Sequence, residues 1–426
     1  MPIAFLEVSD MTVAEHAAAI TAPDRVPHDA PLTVDGAVPA DLDGALVCAS
    51  AHPAGTRAGD AAHASRPALV YGVRLGGGAA RRLIPAAADL TGVHAGDLPL
   101  LPFPAPGWMR EGNLAVCGET HDAPSQGAHD THAAHLAAPV RDHAGGEWHT
   151  VAVRPGSDVA EHLVLGPGGE VRDVRPFALP GAPLLHAVAL TERFVVVFDL
   201  PVVHSRAAAL MGSSSPYRWR PGRPARIGLL RRDAWDPSGP RWFPIDPCYV
   251  FEAVNAYEDR GRRVVVDAVR HARAFDTPVG DLGRDAEPAS VHRWTLDLAT
   301  GTTSARALIG SAAEASADPR SAGRRHQLVF ARAAGGQAVV GLDLAAGVTQ
   351  VRELGPGRRA GRPVFVPRPG AVEGDGWIMV LTRDLARRRG ELLVLDAHNL
   401  AGRPEAVVHL PGAFPDARRT AWLGAS

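Results

Sequence analysis

The segments 294–308 (WTLDLATGTTSARAL), 340–354 (VGLDLAAGVTQVREL) and 393–410 (LVLDAHNLAGRPEAVVHL) share one pattern. Each holds a short apolar run, an aspartate-led turn ending in glycine, and a returning run. An aspartate in such a turn accepts hydrogen bonds from backbone amides two residues on, and glycine takes a positive φ at no steric cost. Asp297, Asp343 and Asp396 are spaced by 46 and 53 residues. A hairpin returning at about 40–50 residues is the period of a propeller blade. That period divides the 426 residues into about seven to nine blades, against the four to eight of typical propellers. A pair of β-sandwiches is the alternative architecture.

The rest of the chain supports an all-β reading. Short runs rich in Val, Ile, Leu and Phe recur at 69–75, 193–200, 226–230, 262–269, 326–333, 377–383 and 391–397, bounded by Gly, Pro and Asp. Amphipathic helices are scarce, with 11–20 the one candidate. No Pro/Ser-rich linker divides the chain, so residues 1–426 are expected to form a single β-propeller domain whose ends meet.

Composition narrows the function classes. The 44 basic residues, all arginine, nearly balance 46 acidic ones, for a net charge of −2. Such a balance argues against a nucleic-acid partner, whose phosphates call for a basic excess. The absence of lysine excludes a Schiff base and a P-loop. Cys48, Cys117 and Cys248 are too scattered for a zinc site or a disulfide framework. The N-terminus lacks a basic segment and no apolar run reaches about 18 residues, so a cytoplasmic location is expected. Nucleophile-elbow, zinc-helix and dinucleotide motifs are missing.

Positive evidence lies in the middle of the chain. Residues 185–201 (LHAVALTERFVVVFDLP), 216–233 (PYRWRPGRPARIGLLRRD), 246–259 (DPCYVFEAVNAYED), 365–371 (FVPRPGA) with 374–377 (GDGW), and 32–46 (LTVDGAVPADLDGAL) resemble, in order, the signatures of the carotenoid cleavage oxygenases. The resemblance implies a seven-bladed β-propeller with a loop and short-helix cap over an axial site. It also implies Fe(II) held by four histidines, three backed by glutamates, and O2-dependent cleavage of an alkene bond in an apolar substrate. Neutral imidazoles suit Fe(II) and leave positions open, and carboxylates behind them fix tautomer and orientation.

Carried over position by position, the resemblance finds that site altered. His135, near His129 and His132 in an extended segment, matches the first histidine, and His186 the second. Glu252 stands at the third and Arg419, next to Arg418, at the fourth. Among the supporting positions, Glu119 and Glu314 match, whereas Arg362 replaces the third glutamate. His121 and His143 read as loop histidines, which leaves His135 as the member of that cluster placed at the centre.

Two readings follow. In one, His135, His186 and Glu252 form a two-histidine, one-carboxylate Fe(II) set for oxidative alkene cleavage. In the other no metal is favoured, Glu252 is expected to meet Arg419, and His186, Glu252, Arg419 and His135 serve as acid, base and anion clamp. The second predicts a metal-independent isomerase, cyclase or lyase on a hydrophobic polyene, terpenoid or polyketide-like molecule. A catalytically inactive ligand-binding protein is the third possibility. The apolar segment 98–109 (LPLLPFPAPGWM) is either a peripheral membrane contact or a tunnel lid.

Overall fold

A computed structural model describes residues 30–50, 69–83, 135–154, 156–166, 171–211, 216–233, 238–275, 287–411 and 419–424. Their strands form six antiparallel sheets of at least four strands and one two-stranded ribbon. Blade 1 comprises Gly44–Ser50, Leu69–Gly76 and Ala79–Leu83, completed by the C-terminal Arg419–Gly424. In blade 2, His135–Leu136 and Val140–Arg141 both pair with Trp148–Val153, and Val159–Leu165 and Val171–Ala178 follow. Blade 3 runs Val188–Leu190, Phe194–Asp199, Ala225–Arg231, Arg241–Ile245. Blade 4 runs Tyr249–Asp259, Arg263–His271, Ser290–Asp297, Thr303–Ile309. Blade 5 runs Ala312–Ser316, Leu328–Ala333, Ala338–Asp343, Val348–Glu353. Blade 6 is built on Gly376–Asp384, Arg389–Asp396 and Ala406–Leu410, with Val364–Pro367 on its inner side and the N-terminal Val34–Gly36 on its outer edge.

This is a β-propeller. The strand Arg419–Gly424 joins blade 1 and Val34–Gly36 joins blade 6, so each of these blades is built from segments distant in sequence. Six blades are described; the candidate helix 11–20, the segment 98–109 and Cys117 lie outside the described residues. Among the described residues no helix is long and apolar enough to cross a membrane.

The sequence repeats are the outer hairpins of blades 4, 5 and 6. Asp297 Oδ1 accepts from the amides of Ala299 and Thr300 (2.9 and 3.0 Å), and Asp343 Oδ1 from Ala345 and Ala346 (2.8 and 2.9 Å). Asp396 does the same with His398 and Asn399 (2.7 and 2.9 Å). Gly301 and Gly347 close the first two turns at φ of +75° and +68°, where a Cβ would be strained.

Middle strands are apolar on both faces because each sheet is sandwiched between neighbours. Gly376–Asp384 is buried for its first seven residues, whereas the outer strand Val348–Glu353 is largely exposed. Core clusters straddle successive blades. Val151 and Phe177 of blade 2 pack with Val195 and Leu230 of blade 3. Phe198 and Ile227 of blade 3 meet Tyr249 and Trp294 of blade 4. Val291 meets Val329 between blades 4 and 5, and Phe330 meets Ile378 between blades 5 and 6. Trp377 and Met379 of blade 6 pack with Leu46 and Val73 of blade 1, extending the series by one more blade.

The NAYE segment of blade 4 ties strand ends together. Asn255 donates to the carbonyls of Ser321 and Arg324 (3.0 and 2.8 Å) and accepts from the Gly323 amide (3.1 Å). Glu258 accepts from Thr191 Oγ1 and the Arg193 amide of blade 3 (3.0 and 2.9 Å).

Candidate functional site

The inner strands of all six described blades surround one cavity of about 620 Å³. Its wall is mainly apolar, from Val140, Trp148, Val188, Phe251, Val254, Val364, Phe365 and Trp422. The volume falls within the range of small-molecule pockets, about 300–1,000 Å³. Polar groups interrupt that wall at Asp41, Asp43, Arg141, His143, Glu252, Ser316, Arg362 and Thr420.

Glu252 lies on the inner strand of blade 4, where the register against Arg263–His271 shifts on both sides of it, between Val250 and Glu252 and between Ala253 and Asn255. Bulges of this kind re-aim side chains. Glu252 Oε1 pairs with Arg362 Nη1 at 2.8 Å, and Oε2 accepts from the Ala315 amide at 3.1 Å. Arg362 Nη2 in turn donates to the Ala315 carbonyl at 3.2 Å. The carboxylate, the guanidinium and the backbone N–H and C=O of one residue, Ala315, thus form a closed ring across blades 4, 5 and 6. Among the described residues the ion-pair partner of Glu252 is Arg362, at the expected supporting position; the Arg419 side chain, which the sequence reading set against Glu252, lies outside them.

The other candidates are distributed around this ring. Glu314 precedes Ala315 at a further register shift and pairs with Arg332 Nε at 2.7 Å. Burial raises its pKa, opposed by Arg332 and reinforced by the nearby Glu252 charge. His186 stands just before the inner strand of blade 3, and its ring packs against Phe251, Tyr249 and Phe275 at centroid distances of 5.0, 5.8 and 6.2 Å. Its carbonyl accepts from the Ala138 amide at 2.9 Å, linking the inner edges of blades 2 and 3. His135 occupies an inner strand of blade 2 opposite Val153, and Arg419 an inner strand of blade 1 opposite Ala49. The side chains of His135 and Arg419 lie outside the described residues, as do Glu119, His121, His129, His132 and Arg418. Among the described residues no three His, Cys, Asp or Glu side chains converge as a metal site.

Two cavity residues were not singled out in the sequence. His143, read there as a loop histidine, lies on the cavity wall, as does Arg141. Burial lowers the pKa of His143 and the Arg141 charge lowers it further. Their segment is Gly/Ala/Asp-rich, so composition alone suggested a loop. The usable signal was the short alternation in Pro139-Val140-Arg141, which pairs with Trp148–Val153.

Blade 2 also buries a histidine pair. His149 Nδ1 and His162 Nε2 are 3.0 Å apart, and Arg232 Nη2 stands 3.3 Å from His149 Nε2. Arg232 is a donor only, so His149 Nε2 accepts, and Nδ1–H donates to His162. Burial, with Arg232 as a second cause, lowers His149 to about 4. Burial and then His149 lower His162 to about 3, and burial lowers His271 to about 4. All three values lie below the ordinary 6.5. The unfolded chain therefore binds more protons between these values, and stability present above pH 6.5 is lost as pH falls toward 4. One isolated shift of that size corresponds to on the order of 3 kcal/mol. The melting temperature is expected to fall steadily from about pH 7 to about pH 4.5; a flat profile would contradict the buried neutral assignment.

Comparison with known proteins gives a consistent result. Residues 112–417 match the model of the retinal pigment epithelial membrane protein family. The chain is 32% identical over 339 residues to a carotenoid cleavage oxygenase of Mycobacterium tuberculosis, a match covering 67% of each chain. It is 27% identical over 278 residues to the apocarotenoid-15,15'-oxygenase of Synechocystis, covering 61% of this chain and 56% of that one. Its fold is similar to that of Pseudomonas brassicacearum lignostilbene dioxygenase, with a TM-score of 0.76 at 21% identity over 95% of this chain and 97% of that one. A Synechocystis apocarotenoid oxygenase variant aligns with a TM-score of 0.74 at 21% identity, covering 93% and 96%.

Proposed function

The chain belongs to the carotenoid cleavage oxygenase family, and from that premise we propose that it is a divergent member that binds a hydrophobic small molecule in the axial cavity and acts on it without the family's iron. The observation that carries this reading is the Glu252–Arg362 ion pair. The resemblance implies an imidazole and its supporting carboxylate at these positions. Here the ligand position is anionic and the supporting position cationic.

The residues present do not fit the four-imidazole iron site. Two of its four positions, Glu252 and Arg419, lack imidazole. Both Glu252 oxygens are engaged, one by Arg362 and one by the Ala315 amide. A dication taking Glu252 as a ligand would sit beside Arg362. At about 4 Å and an effective dielectric of about 20, that repulsion is on the order of 8 kcal/mol before screening. The pair itself suits a partly buried position, because each charge satisfies the other and the Ala315 backbone between them.

What the cavity offers instead is proton transfer and charge stabilisation beside an apolar wall. Glu252 and Arg362 together set a carboxylate and a guanidinium on the wall, a pair able to hydrogen-bond a polar group of the substrate and to take part in moving a proton there. Phe251 and Trp148 add aromatic surface to the wall against which an apolar chain can pack. These groups support an isomerase, cyclase or lyase chemistry on a polyene, terpenoid or polyketide-like substrate.

The test is metal content by mass spectrometry, on purified protein and again after anaerobic Fe(II) loading and desalting. Retention well below stoichiometric iron is expected, with ligand binding unaffected by chelators. Stoichiometric iron would overturn the proposal in favour of a His135, His186 and Glu252 ligand set and oxidative cleavage.

A further inference from the structure

Arginines near the site are almost all spoken for. Arg362 faces Glu252, and Arg368 bridges Asp375 and Asp41. Arg232 is held by Asp142, the residue next to Arg141, and by the Thr191 carbonyl. Arg141 differs. It lines the cavity, its guanidinium lies 5.9 Å from the centroid of the Trp148 ring, and its Nε is buried with no hydrogen-bond partner among the described residues. No described carboxylate forms a salt bridge with it. The remaining cavity acids, Asp41 and Asp43, are exposed to water.

A partly buried guanidinium without a counter-charge is costly unless something else supplies one. Trp148 lies within cation–π range without neutralising it, since an aromatic face contributes attraction but no acceptor lone pair. A planar fork of N–H donors beside an apolar cavity matches one ligand group above others, a carboxylate, which it can bind through two parallel charge-assisted hydrogen bonds.

We propose that Arg141 is a specificity residue that selects an elongated apolar ligand ending in a carboxylate, with the acid group at the Arg141–Trp148 side of the cavity and the apolar chain running toward Phe251 and Phe365. This deepens, and rests on, the reading of the cavity as a hydrophobic ligand site. Arg141 would then discriminate a polyene acid from the corresponding ester, alcohol or hydrocarbon.

The experiment is fluorescence titration of the purified chain with cis-parinaric acid and, separately, with its methyl ester. Both are polyenes of the same length and differ in the charged end. Wild type is expected to bind the acid about tenfold or more tightly than the ester, the size of one charge-assisted hydrogen-bond pair. Arg141→Leu is expected to remove that preference, weakening the acid by a similar factor while leaving the ester unchanged. Arg141→Gln, which keeps a polar side chain, serves should the leucine variant fail to fold, and circular dichroism checks both. Equal binding of acid and ester by wild type, or equal loss of both in the variants, would overturn the role of Arg141 while leaving the cavity a ligand site. Binding of neither probe would overturn the cavity reading itself, and this inference with it.

Discussion

Asp267→Ala is expected to lower the unfolding free energy by about 3–5 kcal/mol, the cost of leaving a buried charge without its partner. Asp267 is fully buried on the second strand of blade 4. Its carboxylate takes both the Nε and Nη2 of Arg293, at 2.8 and 2.7 Å, and His326 Nε2 at 3.0 Å. His326 Nδ1 is in turn 3.0 Å from Asn255 Nδ2. Burial alone would push the Asp267 carboxyl upward, but the hydrogen bonds from Arg293 and His326 outweigh it and hold its pKa below the ordinary carboxylate value. Removing the carboxylate leaves the Arg293 guanidinium stranded against Tyr257 with no acceptor. Urea denaturation of Asp267→Ala and of Asp267→Leu/Arg293→Met tests this. The single variant is expected to be far less stable and the double variant to recover most of the loss, because an apolar pair of similar volume replaces a buried ion pair at little net cost. A single variant within about 1 kcal/mol of wild type would show that water reaches the network and screens it.

How much of this was legible in the sequence differs from one scale to the next. Local chemistry was legible. Asp297, Asp343 and Asp396 each cap a hairpin because a short carboxylate reaches amides two or three residues ahead, an interaction contained within one segment. The inner-strand placement of Glu252, Glu314 and Arg419 followed from the family resemblance, which fixes where each blade begins. Pairings between blades were not legible. Glu252 and Arg362 are 110 positions apart, and both hydrogen-bond the backbone of Ala315, one its N–H and the other its C=O, groups no side-chain pattern announces. The His149–His162 pair was hidden for a related reason. Adjacent strands of blade 2 carry one histidine each, and either alone reads as an ordinary strand residue. Arg141 and His143 were obscured by composition, since a Gly- and Ala-rich stretch suggests a loop even where two residues join a sheet.

The largest gain of function is expected from reversing the charge inversion at the cavity. Glu252→His, Arg362→Glu and Arg419→His together would return imidazole to two ligand positions and a carboxylate to a supporting one. Anaerobic Fe(II) loading followed by desalting is expected to leave the triple variant with stoichiometric iron and wild type with little. The intermediate variants separate the causes. Glu252→His alone is expected to bind poorly, because Arg362 loses its carboxylate and stands as an unpaired cation beside the new imidazole, opposing both protonation and metal. Adding Arg362→Glu removes that charge and supplies an acceptor for an imidazole N–H, which orients the ring and raises its basicity as a ligand. Arg419→His completes the set from blade 1, where the neighbouring Thr420 already lines the cavity. Stepwise gain along this series would mean that the propeller frame retains the geometry of an iron centre and that the Glu252–Arg362 pair is what closes it. Iron retention by wild type equal to that of the triple variant would mean that Arg362 releases Glu252 to the metal, and the case for metal-independent chemistry would fall with it.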